Sequence, residues 1–310
     1  MAKTLKGQNA RICVQNADGK MECIALATSC TVNLTANTDD ATTKDDVGMS
    51  SKPEVTSKSW QMSVETLKSA DVGRLMADMK AGYKFYIVFE QTSTDDNQSL
   101  VAAADEKFTY LHGMAYLTDM TVNFNDRENT AKSLQFSGTG QLSSAADQEL
   151  EDYVVLSPSS YTKGQYVRLF LSSDNTTTPA KVIAYPKSLS LHVSVSLEDA
   201  TTKDTVGDWQ VQEPTGISYD ISTTALVYSG EAITSQTQAM TFDDLRAIWT
   251  GITPVKWQIA NVSGANNRTK GAVIVSGSAV LTGLNVTAQN RQAVQFDASF
   301  NGWGDYTVGS

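Results

Sequence analysis

Residues 40–45 have the sequence Asp40-Ala41-Thr42-Thr43-Lys44-Asp45, and Val47-Gly48 follow them. Almost the same letters return as Asp199-Ala200-Thr201-Thr202-Lys203-Asp204, followed by Val206-Gly207. The two copies are 199 − 40 = 159 residues apart, which is the size of a whole domain. This spacing predicts a duplicated domain and not a solenoid of small units. We name residues 40–45 the first repeat loop and residues 199–204 the second repeat loop.

Shorter matches extend the repeat on both sides. At the same spacing, Ile24-Ala25, Ser59 and Leu67 match Ile183-Ala184, Ser218 and Leu226, and Trp60 corresponds to Tyr219. Further along, the spacing grows to 277 − 113 = 164, where Gly113, Leu117-Thr118, Arg127, Gly138 and Gly140 match Gly277, Leu281-Thr282, Arg291, Gly302 and Gly304. We therefore predict a first domain over residues 1–150, a linker over 151–165 and a second domain over 166–310.

The composition favours β-structure. Of the 310 residues only 19% are charged and 8% aromatic, and Thr, Ser, Val and Ala recur in short runs that suit half-buried strands. The chain is long enough for two cores. The predicted fold class is mainly β, with one short helix in each of two tandem domains: Ala70 to Lys80, ended by Gly82, and Phe242 to Trp249, ended by Gly251.

The strands are predicted from two patterns: alternation of apolar and polar residues, and short apolar runs typical of buried strands. They cover Arg11–Val14, Met21–Leu26, Cys30–Leu34, Ser59–Leu67, Phe85–Phe89, Met114–Phe124, Leu134–Phe136, Val280–Val286 and Val294–Phe300. Residues 35–58 are polar and are predicted as a long loop that contains the first repeat loop. The polar segments 1–9, 91–107 and 145–156 are predicted as an arm, an excursion between strands, and a short helix or arm.

The net charge of −10 disfavours tight binding to nucleic acid, which needs Lys and Arg. Residues 1–155 carry 14 basic and 22 acidic side chains, and residues 156–310 carry 10 and 12. The first half therefore supplies most of the negative charge.

All three cysteines, Cys13, Cys23 and Cys30, lie in the first half. An odd count without a signal peptide predicts free thiols in a reducing compartment. A two-residue turn at Asp18-Gly19 would put Cys13 and Cys23 on opposite faces of a hairpin, whereas a three-residue loop would bring them opposite each other.

Two interpretations fit the repeat loops. Each could be a turn capped by its own Asp and Thr side chains. Alternatively, each is a contact loop that docks on a neighbouring subunit, which we favour because exposed loops usually diverge faster than strands. The proposed inter-subunit residues are Asp40, Thr42, Thr43, Lys44 and Asp45, with Asp199, Thr201, Thr202, Lys203 and Asp204 in the second loop.

No pattern predicts catalysis or a cofactor. The sequence contains no zinc-binding His or Cys cluster, no nucleophile elbow and no phosphate-binding glycine loop. His112 and His192 are interpreted as isolated structural histidines. Asp39, Asp40, Asp45 and Asp46 lack the ligand spacing of a dedicated calcium loop. We expect no catalytic residue, no cofactor, no metal and no membrane span.

Three segments carry a resemblance to a known family: residues 27–34 (Ala27-Thr28-Ser29-Cys30-Thr31-Val32-Asn33-Leu34), the Thr-Thr-Lys-Asp loop, and residues 58–64 (Lys58-Ser59-Trp60-Gln61-Met62-Ser63-Val64). They resemble the major tail proteins, or tail tube proteins, of long-tailed phages. The Gly113 to Gly140 segment looks like the closing strands of that family. In the second half only the loop is a sharp match, because Ile217-Ser218-Tyr219 stand where Lys-Ser-Trp would be.

The resemblance implies a β-sandwich or partial barrel with a flanking helix, assembled into stacked rings that form a hollow conduit for DNA ejection. A fused pair of domains predicts trimeric rings with pseudo-sixfold symmetry. Implied partners are further copies of the chain, a tape measure protein, a tail terminator and baseplate or tip proteins, with DNA passing through unbound. The implied location is the virion tail, after synthesis in the bacterial cytoplasm. Alternatives are the inner tube of a contractile injection particle, with a sheath as partner, and a non-tube virion binding or decoration domain.

Overall fold

The computed structural model describes residues 7, 10–15, 21–24, 26–45, 50–67, 71–91, 111–144, 153–154, 162–205, 207–227, 239–263 and 269–309. Within these ranges the chain is mainly β, and each half has one short α-helix, so the predicted fold class is confirmed.

In its described residues, the first half contains eight strands and one helix. Their hydrogen-bonded order is β8-β2-β1-β5-β6-β7-β4-β3, and only the β2–β8 pair is parallel. The elements are β1 (Ala10–Gln15), β2 (Met21–Cys23), β3 (Ala27–Asp40), β4 (Pro53–Thr66), α1 (Val72–Lys80), β5 (Lys84–Gln91), β6 (Leu111–Asn123), β7 (Ala131–Ser143) and β8 (Tyr153–Val154).

The second half has an equivalent order, β13-β10-β9-β14-β15-β16-β12-β11, again with one parallel pair, β10–β13. A further strand, β17, pairs with β15. The elements are β9 (Val167–Leu171), β10 (Lys181–Ile183), β11 (Pro186–Asp199), β12 (Gln212–Leu226), β13 (Ala239–Met240), α2 (Phe242–Gly251), β14 (Val255–Ser263), β15 (Thr269–Thr287), β16 (Gln295–Gly302) and β17 (Thr307–Val308).

Strand registers also recur between the halves. In β3–β4, Leu34 pairs with Trp60, and in β11–β12 Val193 pairs with Tyr219, so both partners shift by 159 residues. The irregularity in β6 between Leu117 and Asp119 recurs in β15 between Leu281 and Gly283. Positive φ angles recur in pairs: Leu26 and Tyr185, Gly82 and Ile252, Arg127 and Arg291, and Gly140 and Gly304. The backbones of the two halves therefore bend at equivalent positions.

Two of the repeated glycines make room for a buried aromatic ring. A Cβ on Gly113 would lie 2.6 Å from Trp60, and one on Gly138 would collide with the same indole. In the second half, a Cβ on Gly302 would lie 2.6 Å from the ring of Tyr219. The glycines thus recur because each half packs an aromatic side chain of β4 or β12 against glycine backbone.

Both predicted helices are present. In α1, Val72, Leu75, Met76 and Met79 are buried, as their helical spacing predicts. The helix α2 begins with a capping box between Thr241 and Asp244. The prediction that Gly251 ends α2 is wrong by one position. Gly251 is the last helical residue, and Ile252 adopts the left-handed conformation that follows.

The predicted long loop over residues 35–58 is wrong. β3 continues to Asp40 and β4 begins at Pro53, so most of this segment is a β-hairpin. Its outer residues are exposed on both faces, as the burial pattern of β3 shows from Asn33 onward. The sequence therefore shows no apolar alternation to reveal the strands, and the first repeat loop lies at the hairpin tip.

The prediction of free thiols is wrong for Cys13. Cys13 lies directly opposite Cys23 in the β1–β2 register, as the longer turn would allow, and Cys13 is disulfide-bonded. Cys30 is a free thiol, and burial raises its pKa despite a backbone hydrogen bond from Ile12.

The predictions for residues 1–9, 91–107 and 145–156 lie almost wholly outside the described residues. Within the predicted linker, Tyr153–Val154 form β8, and residues Gly164–Tyr166 form a short 3-10 turn before β9. The domain boundaries stay a prediction.

Candidate functional site

The first repeat loop caps itself. Asp40 Oδ1 accepts hydrogen bonds from the backbone N–H of Thr42, at 2.9 Å, and from the Thr42 hydroxyl. Thr42 Oγ1 accepts from the backbone N–H of Lys52 at 3.0 Å, which ties the loop across the hairpin. The Thr42 hydroxyl and amide hold the pKa of Asp40 below its usual value because both stabilise the carboxylate.

The second repeat loop has the same arrangement. Asp199 Oδ1 accepts from the backbone N–H of Thr201 at 2.9 Å, and Thr201 Oγ1 accepts from the backbone N–H of Val211 at 3.0 Å. Hydrogen bonding by Thr201 lowers the pKa of Asp199. Thr202 donates its backbone N–H to the Thr205 hydroxyl at 3.0 Å.

Self-capping accounts for only part of each repeat. It uses Asp40 and Thr42 in one loop and Asp199 and Thr201 in the other. The following Lys-Asp pairs, Lys44-Asp45 and Lys203-Asp204, are exposed. Local turn geometry therefore explains the Asp and Thr at the start of each repeat loop. It does not explain the Lys-Asp pair at the end of each loop.

The two halves join through a strand pair. Residues 119–123 of β6 run antiparallel to residues 190–194 of β11, and Met120 lies opposite Val193. The pairing extends one residue past the end of β6, since Phe124 and Leu189 of β11 exchange two backbone hydrogen bonds of 2.7 and 3.1 Å. We name this strand pair the internal junction. It makes the sheets of the two halves continuous.

The segment after the second repeat loop strengthens the internal junction. Lys58 in β4 donates its backbone N–H to Asp208 at 2.6 Å and accepts from Gln210 at 3.0 Å. Gln212 donates its backbone N–H to the hydroxyl of Thr139 in β7 at 3.0 Å. The β11–β12 hairpin of the second half thus forms hydrogen bonds to β4 and β7 of the first half, beyond the β6–β11 pair.

A charged cluster lies on the internal junction. His192 in β11 is 2.7 Å from Asp220 through Nδ1 and 2.7 Å from Asp119 through Nε2. Partial burial alone would lower the pKa of His192, but the hydrogen bonds and charges of the two carboxylates outweigh it and raise the pKa. The His192 side chain therefore bridges strands β6, β11 and β12.

Two strand edges equivalent to the internal junction have no partner among the described residues. Among the described residues β3 pairs only with β4, which leaves its other edge open there. β15 pairs with β14 along Thr269–Ala279, but beyond that point the described part of the chain pairs with β15 on its β16 side only. We name residues 31–35 of β3 the β3 edge and residues 283–287 of β15 the β15 edge.

Within the described ranges, no group of three or more His, Cys, Asp or Glu side chains is placed to hold a metal ion. Asp46, one of the four carboxylates weighed for calcium, lies outside the described residues. No described helix is long and apolar enough to cross a membrane.

Comparison with known proteins gives similarity to solved structures alone. No protein-family model and no curated protein matches the chain. A chain in the tail of an empty gene transfer agent (GTA) particle with C6 symmetry is 13% identical, with a TM-score of 0.35; the match covers 48% of this chain and 99% of that one. A chain in the virion of a native gene transfer agent particle is 14% identical, with a TM-score of 0.36 and the same coverages.

Sequence reasoning missed the internal junction and its histidine. The interpretation of His192 as an isolated structural histidine is wrong, because the side chain contacts two carboxylates. His112 Nδ1 lies 2.8 Å from the Tyr86 hydroxyl. His192 aligns with Asn33 at the repeat spacing, so the repeat itself gave no signal for the cluster.

Proposed function

We propose that this chain is a structural subunit of a phage tail tube, and that it has no catalytic role. Two tandem tube domains, residues 1–150 and 166–310, arose by duplication. Three chains form a ring with pseudo-sixfold symmetry, and rings stack into a hollow conduit for DNA ejection.

The observation that carries this proposal is the internal junction. In it, residues 119–123 of the first half pair with residues 190–194 of the second half, so that one sheet continues into the next. The same chain leaves the β3 edge and the β15 edge unpaired among the described residues. Open edges of this kind favour further pairing, and a closed ring removes them.

Geometry and charge are consistent with a conduit for DNA. If each of six domains lends about four strands to one barrel, strands spaced ~4.8 Å apart and tilted about 40° give a backbone diameter of ~50 Å. This width admits a duplex after side chains are subtracted. The net charge of −10 would repel phosphate, and the more acidic first half is the better supplier of charge to the bore.

We place the repeat loops in contacts between stacked rings, because Lys44, Asp45, Lys203 and Asp204 are exposed at hairpin tips. Replacing Lys44 and Asp45 together with Ala should shorten the tubes while each domain stays folded. One exposed charge pair contributes about 0.2–1 kcal/mol, and many copies in a ring add up. Tube length is measured by electron microscopy, with Lys256→Ala, on β14 of the second half, as the control; normal tube length in the double variant would exclude this role.

The proposed function is tested by negative-stain electron microscopy of the purified protein across a range of concentrations. We expect hollow rings or tubes with threefold or apparent sixfold symmetry. Monomers that persist at every concentration, with a folded circular dichroism spectrum, would instead favour a virion decoration domain. In a virion, the further partners would be a tape measure protein, a tail terminator and baseplate or tip proteins.

A further inference from the structure

We propose that the β15 edge of one chain pairs antiparallel with the β3 edge of a second copy of the same chain. This inference deepens the proposed self-assembly and rests on it. It names the residues that meet, their register and the direction in which subunits join.

The internal junction supplies the template. At the repeat spacings of 164 and 159 residues, positions 119–123 of β6 correspond to 283–287 of β15, and positions 190–194 of β11 correspond to 31–35 of β3. Transferring the register pairs Thr31, Val32, Asn33, Leu34 and Thr35 with Thr287, Val286, Asn285, Leu284 and Gly283 of the second copy. The two apolar pairs are therefore Val32 with Val286 and Leu34 with Leu284.

Apolar side chains that are buried in the internal junction have exposed counterparts on the two open edges. Val193 and Val122 are 0% exposed in the internal junction. Their counterparts Leu34 and Val286 are 62% and 48% exposed. Large apolar side chains at such exposure along strand edges favour an interface. Each edge is thus apolar where its counterpart is already buried by strand pairing.

A second contact follows from the same template. Thr139 is 4% exposed because the segment after the second repeat loop covers it. Its counterpart at the 164-residue spacing is Trp303, which is 51% exposed. The counterpart of the covering segment is the start of β4 and the residues before it, which are also exposed. The start of β4 in the second copy would therefore cover Trp303 of the first chain.

The pairing is head to tail, because each chain offers one β15 edge and one β3 edge. Such a heterologous contact closes into a ring when successive rotations sum to a full turn. The His192 cluster has no charged counterpart here, since Asn33, Gly283 and Gln61 stand at the positions of His192, Asp119 and Asp220. The contact between chains is consequently apolar and neutral where the internal junction is charged.

Cysteine cross-linking tests the register. Phe124 and Leu189 exchange both backbone hydrogen bonds, so His192 with Thr121, three residues along, is a non-hydrogen-bonded pair with Cα atoms about 4.5 Å apart. Asn33 and Asn285 of two chains would share that geometry, which a disulfide can span. The variant is Asn33→Cys with Asn285→Cys. The control is Asn33→Cys with Thr287→Cys, two residues out of register, and both carry Cys30→Ser.

After mild oxidation we expect the 33–285 variant to give covalent species of up to three chains on a non-reducing gel. The control should remain monomeric. Rings or tubes in which the 33–285 pair fails to cross-link, or in which the control cross-links instead, would overturn the pairing and leave the tube function intact. Cross-linking by the 33–285 pair without any ring or tube would support the pairing and contradict the function.

A charge substitution tests the energetics. Leu34→Lys places an ammonium at a site that is exposed in the monomer, so the domain should fold, and association should weaken about tenfold or more. The control is Trp249→Lys, on an exposed residue of α2 that takes no part in the proposed pairing. Sedimentation velocity measures association, and equal loss in both variants would count against a specific edge contact.

Discussion

Helix α1 and helix α2 occupy equivalent places in the two halves, but different chemistry holds them. In the first half, Lys132 of β7 has a side chain that is 0% exposed and forms an ion pair with Asp71, the N-cap residue of α1. In the second half, Phe296 of β16 stands at the equivalent position and packs on Phe242, with ring centroids 5.7 Å apart. A shared backbone can therefore hold its helix with either a buried charge pair or an aromatic pair.

The caps at these helix starts differ in the same way. Thr241 and Asp244 form a capping box that satisfies backbone N–H groups of α2. Asp71 makes no side-chain capping hydrogen bond in α1, and its carboxylate contacts Lys132 instead. The two halves therefore share their strand register and the glycines that leave room for a buried aromatic ring. They do not share the side chains that join the helix to the sheet.

The largest expected effect comes from breaking the ion pair. Asp71→Ala removes the carboxylate that pairs with the buried Lys132 ammonium, and we expect a loss of about 3–5 kcal/mol in the free energy of unfolding. Urea denaturation followed by circular dichroism measures it.

The matched control replaces both partners. Lys132→Met with Asp71→Ala removes the charge and keeps most of the side-chain volume, so this variant should be more stable than Asp71→Ala alone. Equal destabilisation of the two variants would show that the loss comes from packing around α1 and not from an uncompensated charge.

An intermediate effect is expected at a shared feature. Gly138→Ala would drive a methyl group into the Trp60 indole, and such overpacking costs about 1–3 kcal/mol. The control is Gly216→Ala in β12, where an added Cβ has no neighbour within 4 Å. Thermal unfolding compares the two, and a midpoint for Gly138→Ala that matches the control would contradict the clearance role.

The smallest expected effect is a pH dependence of the internal junction. Because the pKa of His192 is raised in the folded chain, its stabilising contribution is complete below about pH 6.5, the ordinary value for histidine. The contribution disappears as the pH rises through the raised value. His192→Asn, which copies Asn33, should remove this part of the pH dependence.

Thermal unfolding of wild type and His192→Asn at pH 6 and pH 8 isolates this contribution, because all other titrating groups cancel in the difference. We expect the wild type to lose more stability than the variant between these values. Equal losses would mean that Asp119 and Asp220 do not stabilise the imidazolium.

Much of the fold could be predicted from sequence where burial leaves a pattern. Trp60, Met62 and Val64 alternate along β4 and are buried, and α1 buries the apolar residues that its spacing indicates. The hairpin around the first repeat loop could not be predicted, because its strands are exposed on both faces and polar. The disulfide at Cys13 depended on a turn length that composition does not determine.

The candidate surfaces were predictable only in part. The repeat marked the loops, and the structure added that Asp40 and Asp199 cap their own turns. The strand edges gave no signal, since a residue such as Leu34 is apolar whether it faces a core or an open edge. Only the strand pairing within the described ranges shows which apolar residues stand on an open edge.

The internal junction also affects how ring formation depends on the protein concentration. Because β6 and β11 belong to one chain, their encounter is intramolecular and its yield does not depend on the protein concentration. A pair of separate single-domain chains would have to meet first. In a ring of three such chains, half of the domain contacts would already exist at any dilution, so only the other half would set the concentration at which rings appear.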